Sequence, residues 1–76
     1  MKEVYVISYF NGEQGEDCGP QFIASTMEKA LALVQEDIKI DYDDMGSEVD
    51  KGFFDTKVYC DNGDIYTIQE FPVDSL

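Results

Sequence analysis

The chain has 76 residues, with seventeen acidic side chains against five basic ones, a formal net charge of −12 and no histidine. Such a length holds one domain, spanning residues 1–76, with about 4,700 Å² of surface and no room for a second. The charge exceeds the magnitude of about 2–8 that suffices for a soluble small domain; it repels DNA, RNA and anionic membranes and speeds encounter with a basic patch.

Direct nucleic-acid binding is therefore not expected. The basic residues Lys2, Lys29, Lys39, Lys51 and Lys57 form no cluster, and arginine, the side chain best suited to bidentate phosphate contacts, is absent. No apolar stretch approaches the roughly 20 residues that span a bilayer, and Met1-Lys2-Glu3 leads into a strand pattern instead of a secretory leader, so the expected location is cytoplasmic. Cys18 and Cys60 are then expected as reduced thiols.

Val4-Tyr5-Val6-Ile7-Ser8-Tyr9-Phe10 is rich in β-branched and aromatic residues and reads as a strand inside the sheet. Residues 11–20 hold three glycines, one proline and three acids, Glu13, Glu16 and Asp17, which predicts an acidic loop. Its glycines are not a phosphate cradle, because the neighbouring carboxylates oppose an anion and no P-loop lysine follows.

Ser25-Thr26-Met27-Glu28 has the spacing of a capping box with Ser25 as the cap. On a 3.6-residue period Met27, Ala30, Leu31, Val34 and Ile38 share one face, so this helix is predicted to lay that stripe on the core. Leu33 and Ile40 fall on its flank. Residues 41–50 read as an acidic connection, and between Glu36 and Asp50 there are seven acids and one lysine, a formal charge of −6 over fifteen residues.

Phe53 and Phe54 suit either a further short strand or a plug at one end of the core. Asn62-Gly63 suits a two-residue type I′ turn, which would pair Tyr59 with Tyr66 and Cys60 with Ile65. The expected fold class is α+β: one helix packed on a small antiparallel three-stranded sheet in the order β-α-β-β, with an extra short strand as an option. Pairing of the first strand beside the second would instead be parallel, through a right-handed crossover. The sheet face turned away from the helix carries either Tyr5, Ile7 and Tyr9 or Val4, Val6 and Phe10, and offers a homodimer surface or a partner platform.

No catalytic chemistry is specified. Asp41, Asp43 and Gly46 match three positions of a calcium loop, but Met45 and Gly52 stand where an acidic or amide ligand and a bidentate Glu are needed. Without histidine there is no imidazole catalysis or Cys/His zinc site. The acids single out no hydrolytic pair, and neither an enzyme nor a cofactor or metal is expected.

Binding is the remaining class. A domain about 27 Å across spans about sixteen phosphate charges of duplex DNA, a number comparable to the net charge here. In size and charge, though in no motif, the chain resembles as a class the small acidic inhibitors with which phages and mobile elements occupy nucleic-acid-binding proteins. That likeness implies an anti-defence inhibitor or modulator that mimics nucleic-acid charge and occupies a basic protein surface, such as a nucleic-acid-binding protein or nuclease complex. The alternative is a general protein-interaction or structural module without mimicry. The partner-binding candidates are Asp37, Asp41, Asp43, Asp44, Glu48 and Asp50, with Glu13, Glu16 and Asp17 as a second patch.

Overall fold

The computed structural model describes residues 2–41 and 45–73. It contains the strands β1 (Lys2–Asn11) and β2 (Glu16–Ala24), the helix α1 (Met27–Asp41), and the strands β3 (Ser47–Lys51), β4 (Asp55–Cys60) and β5 (Ile65–Val73). The five strands form one sheet in the order β2-β1-β5-β4-β3, antiparallel throughout. The chain makes a hairpin, runs the helix over one face from one edge strand to the other, and returns as a meander that sets β5 beside β1. The three-stranded β-α-β-β expectation is thus corrected to ββαβββ.

The two strands that sequence patterning missed are the two edges. Residues 16–20 of β2 read as loop in sequence because they carry Glu16, Asp17, Gly19 and Pro20, and the strand slips register against β1 twice, between Ile7 and Ser8 and between Tyr9 and Phe10. β3, with the sequence Ser-Glu-Val-Asp-Lys, is exposed at every position and shows no apolar alternation. Acids, proline, bulges and shortness are what edge strands use to resist pairing with another chain, so the chemistry that protects an edge also hides it.

Helix α1 begins one residue later than the capping-box spacing implies. The Thr26 hydroxyl accepts the backbone N–H of Lys29 at 3.1 Å, and the Thr26 carbonyl accepts that of Ala30 at 3.0 Å, so Thr26 is the cap in place of Ser25. The apolar stripe lies on the sheet as its period requires. Ala30, Val34 and Ile38 are buried against Ile7, Val58, Ile68 and Tyr66, with Met27 and Leu31 half-buried at the margin. Full burial of a side chain such as Val34 or Ile7 is worth about 1.5–3 kcal/mol. Ile40 is exposed.

The β4–β5 connection also differs from its predicted form. The Cys60 N–H donates to the Asp64 carbonyl at 2.9 Å and the Gly63 N–H to the Cys60 carbonyl at 3.0 Å, while Gly63 has φ +97° and, among the described residues, no non-glycine residue has positive φ. Asp61, Asn62 and Gly63 therefore form a three-residue loop, a type I turn closed by a glycine bulge, in place of a two-residue type I′ turn. One extra loop residue moves the register by one. Tyr59 faces Ile65 and Val58 faces Tyr66, so the expected Tyr59–Tyr66 and Cys60–Ile65 pairs do not form. Tyr66 instead lies opposite Tyr9, with ring centroids 5.1 Å apart.

Candidate functional site

With the helix covering one face, the other face of the sheet is open. Ile7, Val58 and Ile68 point into the core, so alternation sends Phe10, Ile65 and Tyr59 to the open side. The registers align one row across all five strands: Glu48 on β3, Tyr59 on β4, Ile65 on β5, Phe10 on β1 and Asp17 on β2. Its ends are four strand spacings, about 19 Å, apart. Behind it runs a second row, Asp50, Lys57, Thr67, Ser8 and Pro20.

The open face therefore has an apolar centre with carboxylates at both margins. Phe10 and Ile65 are half-buried and Tyr59 exposed; with Asp17, Asp55 and Lys57, Phe10 and Ile65 line a shallow depression of about 430 Å³. Lys57 is its cation. The Lys57 ammonium lies 3.9 Å from the Asp55 carboxylate and donates to the Thr67 hydroxyl at 3.3 Å. Two partly exposed groups at that separation contribute little to stability.

The predicted site residues separate into four sets. Glu48 and Asp50 stand two apart on β3 and share the open face. Glu13, Glu16 and Asp17 gather at the corner made by the β1–β2 turn, on the opposite edge of the sheet. The Asp17 carboxylate accepts the Gly19 N–H at 3.0 Å within a bulge. Asp37 is on the helix side, where its carboxylate accepts the Tyr66 hydroxyl at 2.5 Å, and that position removes it from the open face. The Asp41 side chain, Asp43 and Asp44 lie outside the described residues.

Asp64, an acid the sequence did not single out, is 3% exposed and serves the fold. Its carboxylate accepts the Tyr9 hydroxyl at 2.7 Å, the Gly12 N–H at 2.8 Å and the Asn62 amide at 3.2 Å. Burial alone would raise its pKa, but these three donors outweigh it and hold the carboxyl below its ordinary value. Burial, followed by the nearby Asp64 and Asp61 charges, pushes the Cys60 thiol up to about 11. Burial and the hydrogen bond to Asp37 likewise push the Tyr66 phenol well above its ordinary value.

Sequence reasoning offered Val4, Val6 and Phe10 as one option for this open face, and the burial of Ile7 selects it, but it did not place Tyr59 and Ile65 beside Phe10. Phe10, Tyr59 and Ile65 come from three strands, and only the register places them side by side. It also left Phe53 and Phe54 as strand or core plug; they are neither, for they form the tip of the β3–β4 hairpin and are 95% and 87% exposed.

Among the described residues no group of three or more metal-ligating side chains occurs, and no helix is long and apolar enough to cross a membrane. No family model matches the chain, and no curated protein or solved structure matches it.

Proposed function

We propose that the chain is an acidic protein-binding module that engages and modulates a basic partner through the open face of its sheet. The row Glu48–Tyr59–Ile65–Phe10–Asp17 carries this reading, because it has the anatomy of an interface: an apolar centre and a polar rim. Net charge steers the encounter, and the apolar centre supplies the contact once water is excluded. A pure nucleic-acid decoy calls for one continuous negative face. Here Glu48 and Asp50 lie at one edge, Asp17 lies at the other, and Tyr59, Ile65 and Phe10 separate them, which favours association with a basic protein over mimicry of a phosphate track. Cys18 and Cys60 are both free, which fits a reducing, cytoplasmic setting.

The test is a binding series against a purified basic partner at rising ionic strength. Glu48→Gln with Asp17→Asn should flatten the salt dependence, and Phe10→Ser should weaken binding about tenfold or more at every salt concentration. Competition by duplex DNA for the same partner would restore the decoy reading. Unchanged affinity in both variants would remove the open face from the site.

A further inference from the structure

The tip of the β3–β4 hairpin breaks two local rules at once. Lys51 pairs with Thr56, and the Gly52 N–H donates to the Asp55 carbonyl at 2.8 Å, so Phe53 and Phe54 are the two central residues of a tight hairpin loop. Such loops favour Asn-Gly or Asp-Gly, with positive φ matching the strand twist; neither phenylalanine has positive φ. The same two residues place a T-shaped ring pair, with centroids 5.1 Å apart, almost wholly in water. Each ring carries about 150–250 Å² of surface that gains by burial. Neither turn geometry nor solvation selects phenylalanine here.

We propose that Phe53 and Phe54 form a hydrophobic plug that inserts into an apolar pocket with a basic rim on a different protein. A convex tip needs a concave receptor. Asp55, Glu70 and Lys51 line the groove beside this tip, and Lys57 lies 3.9 Å from the Asp55 carboxylate, on a chain of net charge −12. That field opposes a second copy of the same chain and an anionic bilayer, and attracts a lysine- or arginine-rimmed pocket. The inference rests on the proposed binding role only in requiring a protein partner; the plug and the open sheet face are probed by different variants, so either can fail alone.

The experiment uses the full chain. Phe53→Asn with Phe54→Gly should raise the urea midpoint, because the loop then has its favoured residues; a large fall would make the pair structural and overturn the proposal. Phe53→p-benzoylphenylalanine, irradiated in extract of the cells that express the chain, should give an adduct inside an apolar pocket rimmed by lysine or arginine. The captured protein, once purified, should bind the Phe53→Ala, Phe54→Ala variant at least about thirtyfold more weakly. An adduct only to a second copy, unchanged affinity of the double alanine variant, or no adduct beyond that of a benzophenone at exposed Lys39 would each overturn the plug. So would co-sedimentation of wild type, but not the double alanine variant, with phosphatidylcholine–phosphatidylglycerol vesicles.

Discussion

The Asp64 carboxylate accepts the backbone N–H of Gly12 at 2.8 Å, binding the β4–β5 loop to the β1–β2 turn across 52 residues of sequence. The same side chain takes the Tyr9 hydroxyl, so one buried acid fixes two turns and a strand. Asp64→Asn should lower stability by about 1–3 kcal/mol at neutral pH, the scale of a hydrogen bond to a charged acceptor. Because the folded-state pKa is lowered, this contribution is present above the unfolded value near 3.9 and is lost as pH falls through the folded value. Urea midpoints of wild type and variant should therefore converge below about pH 4. A constant gap down to pH 2 would argue against the ionised acceptor.

Gly12 and Gly63 meet backbone to backbone beneath that link. A β-carbon on Gly12 would collide with the Gly63 carbonyl, whereas one on Gly63 has space but must adopt φ +97°. Gly63→Ala should cost about 1–2 kcal/mol from strain alone, and Gly12→Ala more, because two turns must separate. Thermal unfolding of the two variants gives the order directly.

Asp37 is held by Tyr66 across the helix–sheet junction. Asp37→Asn should reduce stability by about 1–2 kcal/mol, while Glu48→Gln, on the exposed β3, should change it by less than about 0.5 kcal/mol. Partner binding should show the reverse ranking in its salt dependence. Equal salt slopes for the two variants would contradict the placement of Asp37 away from the open face.

Cys18 is exposed and Cys60 buried. With its thiol pushed up to about 11 by burial and then by Asp64 and Asp61, Cys60 is almost wholly protonated at pH 8. Folding should therefore be insensitive to this group below the ordinary thiol value near 8.5 and lose stability as pH rises through 11. Labelling with a thiol reagent at pH 8 should modify one cysteine in the native protein and two in urea. Fast native labelling of both would show that the β4–β5 end opens readily.

Ile38 is 4% exposed, whereas Leu31, on the same helical face, is half-buried. Ile38→Ala should cost about 2–5 kcal/mol, and Leu31→Ala clearly less. Denaturant midpoints with unchanged slopes would establish the ranking, and a larger cost at Leu31 would shift the centre of the core toward the helix start.

The sequence by itself determined what local periodicity and composition control. The stripe Ala30, Val34 and Ile38 recurs at the helical period, and β1 carries enough β-branched and aromatic residues to demand the sheet interior. Asn62-Gly63 marks a chain reversal, and the acid excess is visible by count. Only the tertiary structure decided what depends on non-local pairing. Glu16–Ala24 and Ser47–Lys51 are strands because neighbouring ladders recruit them, although their own residues favour loops. One additional loop residue ahead of Gly63 reset the whole hairpin register, exchanging Tyr59 for Val58 as the β4 partner of Tyr66. The ladders on the two sides of β5 set Phe10, Ile65 and Tyr59 side by side, and the strand order put Glu48 and Asp17 on opposite edges. Side-chain direction in a strand has period two, so a single-residue shift is decided by hydrogen bonding across the sheet and cannot be read from composition along the chain.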